Sequence, residues 1–206
     1  MSTKETKGLN LKIVLIGDSN VGKTTLLYKY LNDENTEDII PTLGLENKVK
    51  TTQIKGIKTK IQLWDTVGQE KFNSLTQNIF TNTDGILIIF DLTNKESFNN
   101  IQKWISKSDN KIKIIIVGNK SDLVDNRTVT KEEIKLITKK YKYVEVSALN
   151  GTGVDKAFDT LIQAIVEKKT DEELFADFGM NDPMLSLSGS TINNIIGKPK
   201  KKCCSS

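Results

Sequence analysis

Five short apolar runs punctuate the chain, Leu11–Ile16, Ile61–Trp64, Gly85–Phe90, Ile112–Val117 and Tyr143–Val146, with polar, helix-like segments between them. Near-continuous apolar runs of this length suit strands buried on both faces, and their alternation with helices predicts an α/β fold with a doubly wound, mostly parallel sheet. Helix starts are expected at Thr93–Glu96 and Thr130–Glu133, where a hydroxyl and a carboxylate three residues apart can form a capping box. Val154, Ala157, Phe158, Leu161, Ile162, Ile165 and Val166 repeat at helical spacing and predict one apolar face of a last helix. Val49–Ile54 and Lys58–Trp64 flank Lys55-Gly56, a turn signal that predicts a β-hairpin and hence one antiparallel edge strand. Beyond Thr170 the periodicity fades into Ser, Asn, Gly and a terminal Lys run. The expected organisation is a flexible start over 1–8, one domain over 9–169 and a flexible tail over 170–206.

Composition narrows the function more than the fold. A chain of 206 residues with 37% hydrophobic and 27% charged residues fits one globular core plus a tail. No run is long and apolar enough to cross a bilayer, and Met1–Asn10 lacks the apolar stretch of a secretory signal. Ser2 stands where a myristoylated chain would need glycine. The formal charge of +4 comes without aromatics alternating along a basic stripe, so nucleic acid is not an expected partner. Histidine is absent, which removes imidazole-based acid–base, nucleophilic and zinc chemistry. Cys203 and Cys204, adjacent at the end, suit modification better than a cross-link.

Four motifs carry chemistry. Gly17-Asp18-Ser19-Asn20-Val21-Gly22-Lys23-Thr24 has the GxxxxGK[ST] form where a strand gives way to a helix. There the amides of the loop and the helix N-terminus can cradle phosphate, Lys23 can reach the outer phosphates and the Thr24 hydroxyl can ligate magnesium. The candidate phosphate set is Gly17, Ser19, Asn20, Val21, Gly22, Lys23, Thr24 and Thr25; by itself it says only nucleotide. Asp65-Thr66-Val67-Gly68-Gln69 ends the run Ile61–Trp64 at the carboxyl side of the sheet, the ligand crevice of such folds. Asp65 is a magnesium candidate, the Gly68 amide can approach a γ-phosphate, and Gln69 is the catalytic candidate, orienting water for in-line attack. Asn119-Lys120-Ser121-Asp122 has the NKxD form. An Asp122 carboxylate can accept from guanine's N1–H and amine, a donor pair adenine lacks, which favours GTP over ATP and disfavours an ATPase or kinase. Asn119 can tie adjoining loops and the Lys120 stem can lie along the base. Ser147-Ala148-Leu149 follows another strand and places the Ala148 amide within reach of the guanine carbonyl oxygen.

In this order and spacing the motifs resemble the Ras superfamily of small GTPases over about Leu9 to Lys169. Trp64-Asp65-Thr66-Val67-Gly68-Gln69-Glu70-Lys71-Phe72 and Asp91-Leu92-Thr93-Asn94-Lys95-Glu96-Ser97-Phe98, with Trp104, are similar to its Rab branch. The resemblance implies a P-loop small G domain with a six-stranded sheet, five helices and two nucleotide-sensing segments. Thr42 then falls in the first such segment, as a magnesium ligand and γ-phosphate sensor. Implied too are GTP/GDP cycling with magnesium, control of vesicle traffic, effectors, an exchange factor, a GTPase-activating protein, a GDP-dissociation inhibitor and an escort protein. A scaffold that binds guanine nucleotide with negligible turnover is the alternative reading. Four departures from the family pattern stand out. Thr42-Leu43-Gly44-Leu45-Glu46-Asn47 lacks the usual closing phenylalanine, Val67 replaces the common alanine, Trp104–Gly118 is a few residues short, and Asn35 takes the place of a ring that usually covers guanine.

Lys198, Lys200, Lys201 and Lys202 precede Cys203-Cys204-Ser205-Ser206, an ending that resembles the double prenylation signal of Rab proteins. Two lipids plus basic charge make a stable anchor where one lipid is marginal. A prenylation box on the last four residues is the rival, disfavoured because Ser205 is not aliphatic. The expected location is the cytoplasmic face of a membrane, with a cytosolic pool. Arg127 is the single arginine, so no internal arginine finger is evident, and slow hydrolysis in need of an activating partner is expected.

Overall fold

The computed structural model describes residues 8–32, 45–66, 79–109 and 111–169. Asn35, Thr42, Val67, Gly68, Gln69, Cys203 and Cys204, singled out above, lie outside the described residues, as do nearly all of the expected flexible ends. Six strands form one sheet in the order β2-β3-β1-β4-β5-β6, with β1 Leu9–Ile16, β2 Glu46–Ile54, β3 Ile57–Asp65, β4 Gly85–Asp91, β5 Lys113–Asn119 and β6 Lys142–Glu145. All neighbours run parallel except β2 with β3. That hairpin turns at Lys55-Gly56 with φ of 51° and 80°, the pair of positive values a tight two-residue turn requires, and it sets the register Ile54↔Ile57.

Two helical layers cover the sheet. On one face α1 (Lys23–Leu31) and α5 (Val154–Lys168) pack Leu26, Leu27, Tyr30, Phe158 and Leu161 against Leu11, Ile13 and Leu15. Every apolar residue assigned to the last helix is buried. On the other face α2 (Lys95–Asn99), α3 (Ile101–Ser106) and α4 (Lys131–Thr138) meet Val14, Ile16, Ile86, Ile88 and Phe90. Successive β1 side chains thus feed opposite cores, as a strand covered on both faces must.

One cap differs from expectation. The Thr130–Glu133 box is present. At α2, however, Asn94 is the N-cap and accepts from the amides of Glu96 and Ser97, while the Thr93 hydroxyl donates to Asp91 at 2.7 Å. A carboxylate at the strand end competes for that hydroxyl, and Asn caps as well as Thr does. Among the described residues five α-helical segments occur; Asn100 keeps helical dihedrals between α2 and α3, so these two are nearly one helix.

Candidate functional site

All described motif residues gather at the C-terminal edge of the sheet. The loop from Gly17 to Gly22 leaves β1 and opens α1. Its two glycines are required sterically: a Cβ on Gly17 would stand 2.1 Å from the Ile89 carbonyl oxygen, and one on Gly22 2.4 Å from Asn119 Nδ2. Both also hold positive φ, 146° and 89°. Gly22 caps α1 without a side chain, which leaves the first amides of the helix facing the loop with their partial positive charge. Lys23 is buried, and its ammonium donates to the carbonyl oxygens of Gly17 at 3.1 Å and Asp18 at 2.7 Å. Burial pushes this amine down to about 8, against the opposing pull of Asp65 and Asp18.

Asp65 ends β3, fully buried, and accepts from the Thr24 hydroxyl at 2.5 Å. A hydroxyl and a carboxylate meeting at the rim of a phosphate loop are hard oxygen donors, the kind magnesium prefers, so these residues fit that ion. The next residue, Thr66, donates to the Leu15 carbonyl at 2.8 Å and fixes the strand end beside the loop.

Asn119 joins three segments. Its amide nitrogen donates to the Val21 carbonyl at 2.8 Å, and its oxygen accepts from the Ala148 amide at 3.0 Å. The phosphate loop, the NKSD segment and the Ser147–Leu149 turn are thereby one unit. Ser147, fully buried, donates to the Asp122 carboxylate at 2.5 Å and accepts from the Asn150 amide at 3.2 Å. The Ala148 amide, assigned from sequence to a guanine oxygen, is engaged by Asn119 here and could serve that oxygen only as a shared donor. Lys120 takes a left-handed φ of 63° and pairs with Asp91 at 2.6 Å. Ser19, Asn20 and Leu149 are exposed, whereas Val21 packs in the core.

Three supports escaped the sequence reading. Asp18 accepts from the Trp104 indole at 2.8 Å and from the Asn100 amide at 2.7 Å, so the second residue of the phosphate loop is held from α3. Asp91 fixes Lys120. Arg127 grips Glu145 through both terminal nitrogens at 2.9 and 2.7 Å, and Tyr143 donates to the same carboxylate at 2.9 Å. The guanidinium holds Glu145 below the usual carboxylate range. No local signal marks these pairs, because 86 and 18 residues separate Trp104 from Asp18 and Glu145 from Arg127.

Comparison with known proteins agrees with this geometry. The Ras family model matches residues 12–167. The chain is 35% identical to the Ras-related protein Rab-10 of Diplobatis ommata over 98% of its own length and 99% of the relative's. It is 38% identical to the GTP-binding protein YPT1 of Saccharomyces cerevisiae, over 94% and 96% of the two chains. A 40% identity to the Rab-10 of Caenorhabditis elegans covers 78% of the chain and 83% of that relative. The chain belongs to the Ras family, in its Rab branch, the small GTPase switches of vesicle traffic.

Proposed function

We propose that this GTPase cycles on a membrane surface, with each described motif serving one part of the nucleotide. The reading is carried by one observation: buried Asn119 locks the phosphate loop to both segments that would face the base. Gly17, Ser19, Asn20, Val21, Gly22 and Thr25 line the phosphates with Lys23 among them. Asp122, Ser147, Ala148 and Leu149 take the base edge, with the Lys120 stem on its plane. Thr24, Asp65 and Thr42 hold magnesium, which when bound neutralises the phosphate oxygens. Gly68 stands at the γ-phosphate, and Gln69 orients the attacking water. In the GTP state, segments around Thr42 and Gly68 close on the γ-phosphate; hydrolysis releases them, and effectors read the difference.

Arg127 is locked on Glu145, which supports the expectation that charge stabilisation must come from an activating protein in trans. Replacing Gln69 by Leu should leave GTP affinity unchanged and lower single-turnover hydrolysis by at least tenfold. Equal rates would favour the low-turnover scaffold. Lipids on Cys203 and Cys204 provide the anchor in this reading, and no helix among the described residues is long and apolar enough to cross a membrane. Changing both cysteines to Ser should move the protein from the membrane fraction to the cytosol.

A further inference from the structure

Lysines crowd the N-terminal edge of the sheet, opposite the nucleotide site. Exposed Lys55 and Lys58 come from the hairpin turn and the start of β3. Lys111 and Lys113 stand at the entry to β5, and Lys140 and Lys142 at the entry to β6. The last turn of α5 adds Lys168, whose ammonium donates to the Lys111 carbonyl. These lysines form two groups along the edge, one at the β2–β3 hairpin and one at the entries to β5 and β6, with the starts of β1 and β4 between them. One cleft, between the hairpin and α5, is lined by Lys50 and Lys55 together with Asp155, Asp159 and Glu167, and another, at the entries to β5 and β6, by Lys113, Lys140 and Lys142 with Asp109. The carboxylates described at this edge and in these clefts are Asp84, Asp109, Asp155, Asp159 and Glu167, fewer than the lysines. Asp84 is already engaged, by Lys169 at 3.4 Å and by the Lys12 amide at 2.8 Å.

Neighbouring strands lie closer together than the screening distance of physiological salt, roughly 8 Å, so the ammonium groups within each group repel one another in the free protein. An anionic surface relieves that repulsion. The basic groups of this face are all lysine, while the one arginine sits at the other edge on Glu145. Arginine's planar fork is the usual reader of individual phosphates and carboxylates, whereas compact ammonium groups on flexible stems suit a diffuse layer of charge. Lys169, the residue from which the chain continues toward Lys198 and Cys203, is on this same edge.

We propose that the N-terminal edge of the sheet is a docking face for an anionic lipid surface, holding the nucleotide edge away from the bilayer. The orientation rests on the anchoring reading given above; the affinity for anionic lipid does not.

Full-length, unlipidated, GDP-loaded protein is sedimented with vesicles of phosphatidylcholine alone or mixed with phosphatidylserine. One variant carries Lys55→Gln, Lys58→Gln, Lys140→Gln and Lys142→Gln. A second, equal in charge, carries Lys103→Gln, Lys131→Gln, Lys135→Gln and Lys156→Gln on helix segments nearer the other edge. The first should lose at least about tenfold in binding to the phosphatidylserine vesicles and the second less than about threefold, since each lysine near such a surface is worth roughly fivefold. Equal losses would reduce the effect to net charge and overturn the docking face. So would a parent protein indifferent to phosphatidylserine, or one that prefers RNA to the vesicles. If circular dichroism shows the first variant unfolded, the same four positions changed to Arg should bind as the parent does, and loss there overturns the proposal. Because lipid-free protein is used, failure of the Cys203→Ser, Cys204→Ser test in cells removes the anchor and leaves the vesicle result standing.

Discussion

The two edges of one sheet handle charge in opposite ways. At the C-terminal edge the charges of the site are buried or half-buried and have named partners: Lys23 on the loop carbonyls, Asp65 on Thr24, Asp18 on Trp104, Asp122 on Ser147. At the N-terminal edge they are mostly exposed and mostly lysine. Buried pairing makes geometry, because a charge out of water has to be satisfied by groups at fixed distances. Exposed crowding makes a field, additive and sensitive to salt. Substitutions at the first edge should therefore be large and specific, and at the second small and cumulative.

The sharpest test of the first edge is Asn119→Ala. It orphans the Val21 carbonyl and the Ala148 amide, both buried, at a cost of about 1–3 kcal/mol each. GDP affinity should fall by about a hundredfold or more, measured with a fluorescent GDP analogue. A loss under fivefold would mean that the three loops hold position without their tie.

Trp104→Phe should have a middling effect. It keeps the ring in its pocket and removes only the indole donor to Asp18, a hydrogen bond to a charged group of about 1.5–3 kcal/mol. Asn100 still donates to the other carboxylate oxygen at 2.7 Å, so part of the support remains. Nucleotide dissociation should quicken by roughly tenfold with the fold intact. An unchanged off-rate with a lowered melting temperature would make Trp104 a core residue with no bearing on the phosphate loop.

The smallest expected effect is a pH dependence. In the free protein burial holds the Lys23 amine down to about 8, while bound phosphate favours its charged form. Affinity is then full below that value and declines as pH rises through it, because the amine must regain a proton to bind. Between pH 7 and 8.5 GDP affinity should drop by about fourfold, read by the same titration. A flat profile would show that the ammonium stays charged despite its burial.

Much of this was legible from local pattern. Each apolar run marked a strand, Lys55-Gly56 marked the hairpin, and the spacing of Val154 to Val166 marked the last helix with its buried face. Capping was legible where one box had no competitor, at Thr130, and misread at Thr93, whose hydroxyl goes to Asp91. The motifs proposed for phosphate and base recognition were visible because each is a short consecutive run. Asp18, Asp91 and Arg127 showed no role, since the partner that gives each its role arrives from elsewhere in the chain.

By itself, then, the sequence determined the order of elements and the doubly covered sheet, and it supplied the residues proposed for phosphate and guanine. These depend on periodicity and on backbone turns, which are local. Only the tertiary structure decided which of those residues touch, that Asn119 engages the Ala148 amide, that a tryptophan in α3 supports the phosphate loop, and that lysines from the hairpin, β5, β6 and α5 share one edge. A parallel sheet aligns strand ends from distant parts of the chain, and so builds one site and one charged face from residues that no sequence window contains together.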